Sequence, residues 1–231
     1  MSSGFDYSID VVMCIDATGS MQPIIDEFKS NVRGLYQRFI KRAQDQDRDI
    51  GQLRVKVIVF RDYAYDAEPM VESRFFVLDD EVEELYSFVD KIEASGGGDG
   101  PENALEALAI AMKSDWVRTG TKRRHVIIMW TDAPALTLGA RASSPSYPSD
   151  MPADMAELHE WWDDKIMDGR AKWLILCAPN VELWSDMSDC AYWPRVIHSY
   201  DENFVNGKST MTAFAEGIKL GIDAALGYLI V

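Results

Sequence analysis

A chain of 231 residues with 47% apolar side chains can fill one large core, and it has no apolar run near the roughly 20 residues a membrane span requires. Its 38 acidic residues against 23 basic give a net charge of −15. Such a charge repels phosphate backbones and anionic bilayers, so neither nucleic acid nor membrane is an expected partner.

In chain order, the first element is the unbroken apolar run 11–15, a buried strand. An amphipathic helix follows, with Pro23 in its first turn and Ile24, Phe28, Val32, Leu35, Phe39 and Ala43 on one stripe. Residues 55–60 read as a second buried strand and 74–78 as a weaker edge strand. A helix over about 79–94 carries Val82, Leu85, Val89 and Ile92 inward. Another helix begins at Pro101-Glu102 with Leu105, Leu108 and Met112 facing in, before the strand 126–130. Residues 133–153 hold four prolines and several serines, and read as a long surface loop. Met155, Leu158, Trp162 and Ile166 mark the next helix. The strand 173–178, the edge strand 196–199 and a last helix with Phe214, Ile218, Ile222 and Leu226 complete the chain. Alternation with short connections predicts one α/β domain over 1–231. Its expected form is a doubly wound, Rossmann-like, mostly parallel central sheet of about six strands with helices on both faces.

In such sheets ligands bind beyond the carboxyl ends of the strands. Three acidic positions fall there. Asp16 opens Asp16-Ala17-Thr18-Gly19-Ser20, Asp99 lies in Gly96-Gly97-Gly98-Asp99-Gly100-Pro101-Glu102, and Asp132 follows the run 126–130. Hard oxygen ligands without thiolate or imidazole suit Mg²⁺ or Mn²⁺ and do not suit Zn²⁺. Each residue taken alone also fits helix capping. Thr131 either brings its hydroxyl near the same point or packs at the strand end.

Asp-x-Thr-x-Ser after the first strand, the glycine-rich loop with Asp99, Pro101 and Glu102, and Thr131-Asp132 after the fourth strand resemble the von Willebrand factor type A (vWA) family, over about residues 8–226. The glycine-rich loop is most similar to stand-alone bacterial and intracellular members. The resemblance implies a metal-ion-dependent adhesion site. There Thr18 and Ser20 would bind the cation directly, Asp16 and Asp132 mostly through water, and an acidic side chain of a protein partner would complete the coordination. Asp99 stands where the family commonly has Thr. If it ligates directly, it should tighten the cation and weaken the acidic partner.

The first loop also resembles the phosphorylated loop of haloacid-dehalogenase-type phosphotransferases. That reading would make Asp16 the nucleophile of a Mg²⁺-dependent phosphatase. It lacks a late acidic pair, and Lys122, Arg123 and Arg124 lie at the wrong end of the following strand. The glycine-rich loop has no phosphate-binding lysine, His125, His159 and His198 have no metal-ligand spacing, and no Gly-x-Ser-x-Gly elbow occurs. The expectation is therefore a binding module and not an enzyme. The three cysteines, Cys14, Cys177 and Cys190, lack framework spacing, and no signal peptide is visible. Both features predict a reducing, cytoplasmic setting. Asp62 and Tyr63, in the turn after the second strand, are candidates for the rim of the site, or else form a surface pair with Arg61 and a packed ring. The tryptophans read as core, with one of the adjacent Trp161 and Trp162 partly exposed.

Overall fold

The computed structural model describes residues 6–228 except 99, 121, 190, 192 and 200–210, with the side chains of 164 and 211–214 also outside the description. Strands β1 (Tyr7–Asp16), β2 (Ile50–Phe60), β3 (Met70–Glu72), β4 (Phe76–Val77), β5 (Lys122–Trp130), β6 (Lys172–Cys177) and β7 (Val196–Ser199) form one sheet. Its order is β3-β2-β1-β5-β6-β7, with β4 also on β2. Strands β2, β1, β5, β6 and β7 run parallel, and β3 and β4 pair antiparallel with β2. Helices are α1 (Gln22–Arg33), α2 (Leu35–Gln44), α3 (Val82–Val89), α4 (Ala104–Met112), α5 (Met155–Glu160), α6 (Glu182–Asp189) and α7 (Met211–Leu226).

Both faces of the sheet are covered, which is why β1 is apolar without alternation. Ile9, Val11, Met13 and Ile15 pack with Phe28, Phe39, Leu85 and Ile222 on the side of α1, α2, α3 and α7. Val12 and Cys14 pack with Leu105, Leu108, Leu158 and Trp184 on the side of α4, α5 and α6. The register Asp16↔Phe60 and Ile15↔Trp130 brings the ends of β1, β2 and β5 to one level. Among the described residues, no helix is long and apolar enough to cross a membrane.

Helix α6, between β6 and β7, is not among the expected elements, and four other elements differ from expectation. The first helix is two, because the Arg38 guanidinium lies over Gly34 and donates to the Asn31 carbonyl. The edge strand expected over 74–78 is present but shortened to β4, and β3 precedes it as an additional strand, so the sheet has seven strands. Strands β3 and β4 part at Ser73, whose hydroxyl, rather than a backbone carbonyl, accepts from Val57 N at 2.9 Å. The helix over 79–94 shortens to α3; at its start the Glu81 carboxylate accepts from Val77 N (2.8 Å). After α5 the chain widens into a π-helical turn, Trp161–Lys165, that buries both Trp161 and Trp162. Every tryptophan is buried, as are Cys14 and Cys177; Cys190 and the Phe214 side chain lie outside the described residues.

Candidate functional site

At the carboxyl end of β1 the chain makes a tight turn on Asp16. Its Oδ1 accepts from Thr18 N (2.9 Å) and Thr18 Oγ1 (2.7 Å), and its Oδ2 from Thr131 Oγ1 (2.7 Å) at the end of β5. Thr18 Oγ1 lies 3.2 Å from Ser20 Oγ, which donates to Asp132 Oδ1 at 3.0 Å. Two loops thus gather Asp16, Thr18, Ser20, Thr131 and Asp132 into one chain of oxygens. The Asp16 carboxylate is fully buried, whereas Ser20 is exposed. Neither Asp16 nor Ser20 caps the helix that follows: the N-caps of the 3₁₀ turn Gly19–Met21 and of α1 are Thr18 and Met21, and neither makes a side-chain cap bond.

Asp99 lies outside the described residues; the glycines before it are placed. Gly19 N donates to Gly96 O at 3.2 Å. Gly97 has φ +80°, and a Cβ there would stand 2.9 Å from the Thr18 Cβ and 3.1 Å from Glu102 Oε1. A Cβ on Gly98 would stand 2.2 Å from the Tyr65 ring. Glycine at these positions lets the loop lie flat against the Asp16 turn.

Three further acids surround the oxygens. Glu102 is buried, with Oε2 unpartnered among the described residues. Asp66 Oδ2 accepts from Asp62 N and Gly97 N, both at 3.1 Å. Asp62 is buried but neutralised, because Arg141 clasps both its oxygens at 2.8–3.1 Å. Arg61 instead donates to the carbonyls of Ala17, Ser95, Glu68 and Glu93, so no Arg61–Asp62 surface pair forms. Tyr63 is buried edge-to-face against Tyr147. Glu106 accepts from the Tyr147 hydroxyl (2.9 Å), so the segment after Asp132 is bolted to α4 at Glu106 and to the turn after β2 at Asp62.

Among the described residues no lysine or arginine pairs with Asp16, Glu102 or Asp132. Burial lifts the Asp16 carboxyl to about 6 against the bonds from Thr18 and Thr131 that favour its charge. Burial, then the charges of Asp16, Asp62, Asp66 and Asp132, push Glu102 up to about 8. Burial also raises Asp132. Concentrated, unneutralised carboxylate oxygen beside two hydroxyls fits a small hard cation. The described residues contain no cluster of three or more Asp, Glu, His or Cys arranged to hold a metal, so any such site relies on hydroxyl oxygens.

Glu102 and Asp66 were not singled out from the sequence. A signal existed for Glu102: α4 is apolar and buried around nearly its whole circumference, so the residue entering it is buried too.

Residues 10–139 match the family model of the von Willebrand factor A domain. The alpha-protein kinase vwkA of Dictyostelium discoideum is 26% identical over 144 residues, which are 62% of this chain and 21% of that protein. The chain thus corresponds to about a fifth of that relative's length. A solved von Willebrand factor type A structure from Catenulispora acidiphila superposes with a TM-score of 0.59 at 12% identity, covering 95% of this chain and 43% of the other. The pilus adhesin SpaC of Lactobacillus rhamnosus GG gives 0.57 at 11% identity, over 99% and 31%. At these identities the structural likeness concerns the fold alone.

Proposed function

The chain belongs to the von Willebrand factor A domain family, and on that premise we propose that it is a protein-binding module whose Mg²⁺- or Mn²⁺-loaded site takes an acidic side chain of a protein partner. One observation carries this reading: the oxygens of Asp16, Thr18, Ser20 and Asp132 meet within hydrogen-bond distance at the carboxyl ends of β1 and β5. Thr18 and Ser20 would hold the cation, Asp16 and Asp132 would hold its water, and Asp99 would stand on the third loop. A bound ion supplies an electropositive position for a carboxylate, because hydroxyl ligands leave its charge largely uncancelled.

The chain's own residues do the positioning. Asp16 fixes both hydroxyls of its turn, directly at Thr18 and through Thr18 at Ser20, while Thr131 holds Asp16 from the neighbouring strand. The site is a recognition surface and not a catalytic one. The phosphatase reading needs Asp16 as an open nucleophile, and a fully buried carboxylate held by Thr18 and Thr131 gives that reading no support.

Selection from a displayed peptide library, in Mg²⁺ and in EDTA, tests the proposal. Enriched peptides should share one Asp or Glu, and both EDTA and its replacement by the amide should abolish capture. Capture that survives EDTA would overturn the metal-dependent reading. Phosphate-ester turnover that vanishes in Asp16→Asn would replace it with the enzymatic one.

A further inference from the structure

The basic run Lys122-Arg123-Arg124 opens β5 and takes no part in the oxygen cluster, which lies at the other end of the strands. Side chains alternate along a strand, so the run is divided between the two faces of the sheet. Arg123 turns to one face and bridges Asp168 at 2.7 Å. Lys122 and Arg124 turn to the other, in register with Tyr7 and Ile9 of β1. There three cations flank the buried Tyr7 ring. Its centre lies 5.0 Å from Lys122 Nζ, 5.3 Å from Arg48 Cζ and 5.4 Å from Arg124 Cζ.

The two arginines of this group have donors to spare. Arg48, in the turn before β2, donates to the hydroxyls of Tyr7 and Tyr228. Arg124 gives one bond, to the Arg123 carbonyl at 2.7 Å. Among the described residues neither of them, nor Arg195 beside them, pairs with a carboxylate. Asp223, in the last turn of α7, is taken by Arg42 at 2.8 Å. Burial lowers the Arg124 pKa, Tyr7 opposes that shift, and the like charges of Arg195 and Arg48 add to it. The hydroxyls of Tyr7 and Tyr228 accept from Arg48, and their own protons meet no acceptor among the described residues. Guanidinium and phenol donors thus converge with no carboxylate of the chain to receive them, although its net charge is −15.

Gly227 follows α7 at φ +79° and is exposed. A Cβ there would stand 3.6 Å from Arg124 Nη2 and 3.9 Å from the Tyr7 hydroxyl, so the bare glycine leaves both donors open to approach. Two guanidinium forks with two hydroxyls suit a tetrahedral dianion better than a planar monoanion. We propose that this corner, at the amino ends of β1 and β5, binds the phosphate group of a phosphate monoester through Arg48, Arg124 and the hydroxyls of Tyr7 and Tyr228. The site is separate from the oxygen cluster around Asp16 and stands whether or not that cluster holds a metal.

Amide ¹H–¹⁵N spectra of the full chain in EDTA, titrated with phenyl phosphate or with benzoate at matched ionic strength, test it. Phenyl phosphate should shift the amides of Arg124, Gly227 and Tyr228 saturably, leave those of Thr18 and Ser20 still, and bind about tenfold or more tighter than benzoate. Arg124→Gln should weaken the apparent affinity by about tenfold or more, whereas Arg123→Gln, on the other face, should not. Tyr7→Phe removes one hydroxyl from the same corner, keeps the ring, and should weaken binding by a smaller factor. Shifts of equal affinity with benzoate, or an affinity for phenyl phosphate unchanged in Arg124→Gln and Tyr7→Phe, would overturn the proposal.

Discussion

Asp16 sits in an unusual balance: three hydrogen bonds favour its charge and complete burial opposes it. Asp16→Asn keeps the shape and most of the bonds but removes the charge. The variant should fold, with a metal-free Tm no lower than the parent's, yet gain nothing from Mg²⁺; differential scanning calorimetry in EDTA and in Mg²⁺ reads both. Glu102 makes the corresponding pH prediction. Its carboxyl titrates near 4.5 when unfolded and near 8 when folded. Between those values the unfolded chain has released a proton that the native chain keeps, so stability falls as pH rises. The stabilising contribution is whole below pH 4.5 and lost through about pH 8. Asp16 adds the same sign between 3.8 and about 6. Metal-free Tm should therefore drop across this window, and Glu102→Gln should flatten the drop. A Tm that climbs with pH would contradict the burial of these acids.

At the scale of elements, the glycine-rich loop braces the Asp16 turn, and the segment 133–153 braces the neighbouring Asp62 and Glu106. Gly97→Ala puts a Cβ against Thr18 and forces an alanine to φ +80°, a backbone cost of about 1–2 kcal/mol. It should weaken Mn²⁺ binding in calorimetric titration more than it lowers Tm, because the displaced atom belongs to Thr18. Arg141→Ala strands the buried Asp62 charge and should cost about 3 kcal/mol. Faster amide exchange over 133–153 would show the brace released. The parallel strands were legible because burial on both faces leaves an unbroken apolar run, and their ends located Asp16, Thr18, Ser20 and Asp132 directly. Interruptions made by side-chain contacts were not legible: Arg38 over Gly34 and Ser73 in the ladder look ordinary in sequence. Glu102 and Asp66 were hidden for a related reason. An acid after Pro101, or in a turn after a strand, reads as solvated until the tertiary contacts close over it.

Across the whole molecule, acidic side chains gather at the carboxyl ends of the central strands β1, β2 and β5. Asp16, Asp66, Glu102 and Asp132 collect there, while Arg141 neutralises Asp62 beside them. The central proposal is that these oxygens hold a divalent cation, and an anomalous difference map from a Mn²⁺-soaked crystal tests it most directly. The account predicts one peak bounded by the hydroxyls of Thr18 and Ser20, with Asp16 and Asp132 around it. An open, undistorted site with no peak would contradict it.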